Sequence, residues 1–286
     1  MIDKFIDATV VVPTLGRVEQ SDALHRKLHD LKPAPIKIIF VFQRNIEWEE
    51  FTKLSACGEN CSMHINEISV VAARNAGLNA AQTKFVAFID DDCSPANNNW
   101  LEELIQPLDK TDAALTTGPV FGWSSASGNL PFVKRAFLLL PPFLEPIGKT
   151  DSEISARAST VAGGNFCARR AELKAVGGFS HKFSSPSLYE ETEMAMRISR
   201  TMDKGIWFNA NAGIVHDQNL QGGMRNTNSE PVGSFIVSQR RILLQSVYGI
   251  SKTTNARIML YRVSRFIISL GKTIKNKSGA MKKWVG

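Results

Sequence analysis

The stretch Lys84-Phe85-Val86-Ala87-Phe88-Ile89 runs directly into Asp90-Asp91-Asp92. Its six mostly apolar residues predict a buried strand. In an open α/β sheet, ligands bind outside the carboxyl ends of the strands, so the three carboxylates lie where a ligand is expected. Adjacent carboxylates repel one another, and Mg²⁺ or Mn²⁺, which prefer carboxylate oxygens, would relieve that repulsion. An acidic turn that caps the following helix is the alternative interpretation.

Strand and helix patterns alternate on both sides of this stretch. We predict strands over 8–12, 36–42, 84–89, 114–120 and 205–210, and helices over 19–31, 70–81, from 100, near 170–176, from 190 and over 232–275. This alternation predicts an α/β fold with a mostly parallel central sheet flanked by helices. One catalytic-type domain over 1–230 and a basic helical C-terminal extension over 231–286 form the simplest division. The apolar run 136–144 belongs either to the core or to a surface that faces the acceptor or a membrane.

Charge separates the body of the chain from its C-terminal part. The 286 residues carry a formal net charge of +7, yet eleven basic and no acidic residues follow Glu230. Residues 1–230 therefore have a net charge of −4. This body does not have the basic surface of a nucleic-acid-binding domain, so we expect no nucleic-acid partner.

Targeting signals and cysteines bear on where the protein works. Residues 1–7 lack the basic region and apolar run of a signal peptide, and no stretch approaches the ~18 apolar residues of a membrane-spanning helix. Four cysteines are too few for a disulfide framework in a chain of this length. We therefore expect a cytoplasmic protein, which would contact the inner face of the cell membrane if its basic end binds lipid.

A basic amphipathic helix is predicted near the C-terminus. Its apolar side carries Met259, Leu260, Val263, Phe266, Ile267 and Leu270, and its basic side carries Arg257, Arg262, Arg265 and Lys272. Such a helix either lies on an anionic membrane or packs on the body with its basic face in water.

Five short motifs follow one another in order between residues 8 and 220. They are Val11-Val12-Pro13-Thr14, Ala73-Arg74-Asn75-Ala76-Gly77, Phe88-Ile89-Asp90-Asp91-Asp92, Gly163-Gly164-Asn165-Phe166, and Gly177-Gly178-Phe179 ahead of Glu190-Glu191-Thr192-Glu193. On these motifs, residues 8–220 resemble the family 2 glycosyltransferases. The resemblance implies the GT-A nucleotide-diphospho-sugar transferase fold.

The resemblance also implies a donor site around the acidic triplet. Asp90 would face the ribose, and Asp92 would bind Mn²⁺ or Mg²⁺ on the diphosphate, with His216 reaching the metal or the diphosphate. Asp91 would support this pair or cap the helix. The remaining residues assigned to the nucleotide-sugar are Pro13, Thr14, Arg17, Gln43, Arg74, Asn75, Gly164, Asn165 and Arg225. Gln43 stands where the family often has an aspartate, so the identity of the nucleotide base stays open. Helix packing is the alternative role for Arg74 and Asn75. For Gly164 the alternative is a simple bend in the chain.

Glu190-Glu191, at the start of a predicted helix, resembles the family's Glu-Asp pair. Glu191 takes the aspartate position and is the implied catalytic base, with Glu190 as the alternate because glutamate is one methylene longer. Inversion at an anomeric carbon needs an acceptor hydroxyl that loses its proton as it attacks, and a carboxylate within hydrogen-bond reach accepts that proton. An acidic first helical turn without a catalytic role is the alternative.

The resemblance implies an inverting, metal-dependent enzyme that moves a single sugar from a nucleotide-diphospho-sugar to a saccharide or glycolipid acceptor in cell-surface polysaccharide synthesis. Single-sugar transfer is favoured because Gln239-Arg240-Arg241-Ile242 does not supply a Gln-x-x-Arg-Trp motif and no membrane-spanning helix is predicted. A non-catalytic nucleotide- or sugar-binding protein of the same fold is one alternative. A nucleotidyltransferase is another, and it would need a glycine-rich basic phosphate loop where Pro13-Thr14-Leu15-Gly16-Arg17 stands.

Overall fold

The computed structural model describes residues 5–43, 62–122, 134–183, 188–217 and 232–264. The strands are β1 (Phe5–Thr14), β2 (Ala34–Phe42), β3 (Ser62–His64), β4 (Phe85–Ile89), β5 (Cys93–Pro95), β6 (Ala113–Thr117), β7 (Val120–Phe121), β8 (Leu138–Leu140), β9 (Glu145–Ile147), β10 (Ala156–Ala158), β11 (Asn165–Arg169), β12 (Gly205–Phe208) and β13 (Ile214–His216). The helices are α1 (Val18–His29), α2 (Val70–Ala80), α3 (Trp100–Lys110), α4 (Arg170–Ala175), α5 (Glu190–Met202), α6 (Val232–Tyr248) and α7 (252–264). The predicted α/β class is confirmed.

Eight strands form the central sheet, in the order β10-β12-β6-β11-β4-β1-β2-β3. β1 pairs in parallel with β2 and β4, β2 with β3, and β6 with β12. β11 is antiparallel to both of its neighbours, β4 and β6. Because Asn165 of β11 pairs with Ile89 of β4, the turn that leads into β11 lies beside the acidic triplet.

Helices cover both faces of this sheet. Successive side chains of a strand point to opposite faces, and accordingly Val10 and Val12 of β1 join one core cluster while Val11 joins the other. The first cluster includes Trp100 of α3, and the second includes Leu243 of α6. Thus α6, which lies after residue 230, packs into the same core as the sheet.

The apolar run 136–144 divides between core and surface. Ala136 and Leu144, at its two ends, are buried, whereas Leu140 at the tip of the β8–β9 hairpin is 50% exposed. The run is therefore partly core and partly exposed surface.

The single C-terminal helix that the sequence predicted over 232–275 is instead two helices. α6 ends at Tyr248, and Gly249, with φ +73°, begins the turn into α7. A positive φ is readily available to glycine and ends a helix at low cost. Residues 265–286 lie outside the described part of the chain.

The predicted apolar side of α7 is not the side that packs on the body. Ile258 and Tyr261 are buried, whereas Met259, Leu260 and Val263 are 68%, 59% and 47% exposed. The side of α7 that carries Tyr261 faces the body, where the Tyr261 ring packs against Phe143 at 5.7 Å between ring centroids. Among the helices of the described residues, none has the length and apolar character needed to span a membrane.

Candidate active site

The acidic triplet begins where β4 ends, beside the end of β1. The parallel pairing of β1 with β4 places the chain around Pro13 and Thr14 next to Asp90-Asp91-Asp92. Gln43 follows β2, the strand on the other side of β1, and its backbone N–H donates to the carbonyl of Thr14 at 3.0 Å. The predicted gathering of donor-site residues at the carboxyl ends of parallel strands is therefore present in the structure.

Asp91 points into the protein and fastens the triplet to β1. Its carboxylate is 5% exposed and accepts hydrogen bonds from Thr14 Oγ1 at 2.6 Å and from Arg17 Nε at 3.0 Å. The same guanidinium reaches Asp92 Oδ2 at 3.3 Å. Thr14 and Arg17 thus both donate to Asp91 and fix the acidic loop.

Arg74 joins the triplet to the glutamate pair. The side chain is 3% exposed; Nη1 donates to Glu190 Oε1 at 2.9 Å, and Nη2 donates to Asp90 Oδ1 at 3.2 Å and to the carbonyl of Gly163 at 2.8 Å. The sequence predicted Arg74 as a nucleotide contact, but the structure directs its donors to protein groups. Arg17 is a counter-charge for Asp91, and Arg74 is one for Asp90. The repulsion within the acidic triplet is therefore relieved partly by these arginines, whereas the sequence pattern predicts a metal ion in that role.

Asp92 and His216, the two predicted metal ligands, lie together. His216 Nε2 is 3.7 Å from Asp92 Oδ1. Cys93 lies with them, because β5 pairs with β13 so that Cys93 stands opposite His216, and ligand atoms of all three residues lie within 4.8 Å of one another. Carboxylate and imidazole donors suit Mn²⁺, and His216 Nδ1 is buried without a hydrogen-bond partner among the described residues. The donor set therefore fits a divalent metal, with Cys93 as a neighbour that sequence reasoning missed.

Glu190 and Glu191 differ in their surroundings. Glu190 is buried and ion-paired with Arg74, whereas Glu191 is only partly buried. Desolvation and the adjacent Glu190 carboxylate hold the pKa of Glu191 well above its ordinary value. Within the described part of the chain, Glu191 has no direct ion pair, and a carboxylate with a raised pKa suits a general base because its basicity is greater near neutral pH.

The turn 163–165 meets Asp90 through its backbone. An added Cβ at Gly164 would lie 2.6 Å from Asp90 Oδ2, so only glycine allows this approach. Asn165 is also among the residues assigned to the nucleotide-sugar, but its side chain points into the protein. This side chain is fully buried, accepts from Trp100 Nε1 at 2.9 Å and donates to the carbonyl of Ala212 at 2.8 Å, because β11 lies inside the sheet.

Three further predicted residues have different outcomes. Asn75 Nδ2 donates to the carbonyl of Phe179 at 2.9 Å, so its amide links α2 to the loop around Phe179. The side chain of Gln43 is 95% buried, and its Oε1 has no hydrogen-bond partner among the described residues. Arg225 lies outside the described part of the chain.

The sequence profile described as "Glycosyl transferase family 2" matches residues 9–171. The chain belongs to glycosyltransferase family 2. Among curated proteins, this family 2 member is similar to the Pre-mycofactocin glycosyltransferase of Mycobacterium tuberculosis (strain CDC 1551 / Oshkosh), at 25% identity over 232 residues, which cover 75% of this chain and 43% of that protein. The chain therefore spans less than half the length of this relative.

Solved structures of similar fold include two with a bound nucleotide-sugar. Mannosyltransferase PcManGT from Pyrobaculum calidifontis, in complex with GDP-Man and Mn²⁺, has a TM-score of 0.58 and 12% identity, and the match covers 94% of this chain and 75% of that one. S. aureus TarS 1–349, in complex with UDP-GlcNAc, has a TM-score of 0.62 and 14% identity, over 91% and 72% of the two chains. The predicted GT-A fold is confirmed.

Proposed function

We propose that this chain is an inverting, metal-dependent glycosyltransferase. It transfers a single sugar from a nucleotide-diphospho-sugar to a saccharide or glycolipid acceptor, in the synthesis of a cell-surface polysaccharide. The observation that carries the proposal is that Arg74 bridges the acidic triplet and the glutamate pair, with its guanidinium 2.9 Å from Glu190 and 3.2 Å from Asp90. Two such acidic sites suit two separate tasks, donor binding and proton abstraction.

The donor site uses the carboxyl ends of β1 and β4. Asp90, whose side chain is 38% exposed, is placed to accept a hydrogen bond from a ribose hydroxyl. Asp92 and His216 would hold Mn²⁺ or Mg²⁺. When bound, the metal would neutralise the charge that develops on the nucleoside diphosphate leaving group. GDP-Man with Mn²⁺ in PcManGT, and UDP-GlcNAc in TarS, support this class of donor.

The base is Glu191, with Glu190 as its support. Glu190 is neutralised by Arg74, so Glu191 is the carboxylate that remains to accept a proton from the acceptor hydroxyl. The raised pKa of Glu191 strengthens it as a base. The acceptor hydroxyl attacks the anomeric carbon on the face opposite the leaving group, so the configuration inverts as the bond to the nucleoside diphosphate breaks, and Glu191 accepts the proton of the hydroxyl.

A panel of UDP-GlcNAc, GDP-mannose and other nucleotide-sugars tests this proposal, with release of nucleoside diphosphate measured in Mn²⁺ and in EDTA. We expect turnover with one donor, its loss in EDTA, and the opposite anomeric configuration in the product by NMR. Glu191→Gln should lower kcat by about 10²–10⁴-fold and leave donor binding unchanged. The exposed Glu102→Gln is the matched control. Nucleotide binding without turnover in the wild type would favour a non-catalytic binding protein.

We further propose that the exposed face of α7 contacts an anionic membrane. Met259, Leu260 and Val263 face away from the body, and the chain after Glu230 carries only basic charges. An apolar face beside basic residues binds anionic lipid surfaces. Phosphatidylcholine vesicles with phosphatidylserine should co-sediment the protein, and Leu260→Glu should weaken this binding while Ile68→Glu, at another exposed position, should not. Equal binding to vesicles without phosphatidylserine, or self-association through this face, would contradict the proposal.

A further inference from the structure

The residue immediately before the glutamate pair has an unusual backbone. Tyr189 is the N-cap of α5, with φ +71° and ψ +7°. A non-glycine residue in the left-handed region is uncommon and persists where the surrounding structure holds it there. The carbonyl of Tyr189 accepts the N–H of Glu193 at 2.8 Å, which closes the first turn of α5. The conformation of Tyr189 therefore sets the direction in which Glu190 and Glu191 leave the chain.

Arg240 of α6 holds Tyr189 from the C-terminal part of the molecule. The Arg240 side chain is completely buried, and its guanidinium lies 4.0 Å from the centroid of the Tyr189 ring and 5.2 Å from that of Tyr261. A desolvated guanidinium over an aromatic face is a favourable cation–π contact. One tyrosine precedes the glutamate pair, and the other belongs to α7.

The β8–β9 hairpin fixes the guanidinium in this position. Arg240 Nη1 donates to the carbonyl of Phe143 at 3.0 Å and also to that of Leu144, and Nη2 donates to Glu145 Oε2 at 2.6 Å. Nε is buried without a hydrogen-bond partner among the described residues, so these bonds of Nη1 and Nη2 hold the cation, and a displacement that breaks them leaves further charged donors unpaired. Tyr189 thus packs against a fixed surface.

We propose that Arg240 is a positioning residue for the catalytic glutamates. It holds Tyr189 in the left-handed conformation and so directs Glu191 towards the acceptor, while Arg74 restrains Glu190 from the donor side at 2.9 Å. This inference rests on the proposed function of Glu191 as the base. It also gives the C-terminal helices a part in the reaction, although they lie outside the segment matched by the family profile.

The test compares Arg240→Met and Arg240→Lys with Arg241→Met, which changes the exposed neighbouring arginine. Hydrogen exchange is measured on the peptide that contains Glu193, and kcat and KM are measured for release of nucleoside diphosphate from the donor identified above. We expect about 10-fold faster exchange at Glu193 and a fall in kcat of up to about 10²-fold in Arg240→Met, since displacement of a catalytic group by ~1 Å has an effect of this size. Donor KM should stay within about 2-fold, Arg240→Lys should be intermediate, and Arg241→Met should match the wild type.

The outcomes separate positioning from a general structural role. Unchanged exchange and unchanged kcat in a folded Arg240→Met or Arg240→Lys protein would overturn the inference. Faster exchange throughout the chain together with a raised donor KM would overturn it too, because a merely structural contact predicts that pattern. If the wild type releases no nucleoside diphosphate from any donor, the proposed function fails, and the exchange of Glu193 still decides whether Arg240 positions this turn.

Discussion

The proposed donor side, which contains the acidic triplet, and the proposed base side, which contains the glutamate pair, are held in different ways. On the donor side, Asp91 and Asp92 are fixed by Arg17 and Thr14, all at the carboxyl ends of the neighbouring strands β1 and β4. On the base side, Glu190 and Glu191 begin a helix whose first turn is held by Arg74 from α2 and by Arg240, through Tyr189, from α6. The donor side therefore depends on the sheet, and the base side depends on distant helices. Variants should separate binding from turnover accordingly.

Asp92→Asn should have the largest effect on turnover, and it should damage the donor side alone. The variant loses one carboxylate charge at the predicted metal site, so the metal-dependent rise in Tm with nucleoside diphosphate should disappear and turnover should fall by about 10³-fold. Thermal shift with and without Mn²⁺ measures the first effect, and nucleoside diphosphate release measures the second. Asp151→Asn, at an exposed position, is the control. A variant that keeps its Mn²⁺-dependent shift would place the metal elsewhere.

Arg74→Met should damage both sides at once. Without the guanidinium, Glu190 stays buried and unpaired, and removal of one partner from a buried ion pair destabilises a protein by about 3–5 kcal/mol. Donor affinity and kcat should fall together, unlike in Glu191→Gln, where only kcat falls. Urea unfolding gives the change in the free energy of unfolding. As a control, Arg26→Met breaks the ion pair between the exposed Arg26 and Asp22, and it should change that free energy by less than about 1 kcal/mol. An equally small loss in Arg74→Met would show that Arg74 does not bridge the two sides.

The two sides also differ in how far the sequence predicted them. The strand before Asp90 could be predicted from its local pattern, and the position of the triplet at the sheet edge from the rules of parallel sheets. The proximity of Asp92 to His216 was implied only by the family resemblance. The burial of the Asn165 side chain could not be predicted, because its motif does not reveal that β11 runs antiparallel inside the sheet. The contact of Arg240 with Tyr189 joins residues 51 positions apart and depends on packing, which no local pattern encodes. The side of α7 that packs on the body could not be predicted for the same reason.

Gly164→Ala should weaken donor binding, with a smaller effect than Asp92→Asn or Arg74→Met. Its Cβ would lie 2.6 Å from Asp90 Oδ2 and would force this carboxylate to move, so donor KM should rise by about 10-fold, the equivalent of about 1.4 kcal/mol. Gly163→Ala is the matched control, since its Cβ would lie 3.2 Å from Arg74 Nη2, a contact that a small shift relieves. Kinetics with the identified donor measure both variants. Equal effects in the two would mean that the approach of Gly164 to Asp90 does not govern donor binding.

The smallest expected effect is a pH-dependent change in Tm that is due to the ionisation of Glu191. Because the pKa of Glu191 is raised, by desolvation first and by Glu190 second, the folded protein binds this proton more tightly than the unfolded chain does. The stability due to the protonated carboxyl is complete below the ordinary glutamate pKa and is lost as pH rises through the raised value. Glu191→Gln cannot ionise, so its Tm should exceed that of the wild type at pH 8, and the difference should shrink towards pH 4. Glu102→Gln should follow the wild type across this range. A Tm difference between Glu191→Gln and the wild type that does not change from pH 4 to pH 8 would mean that Glu191 does not ionise in this range. The catalytic base would then have to be another residue on this side of the site.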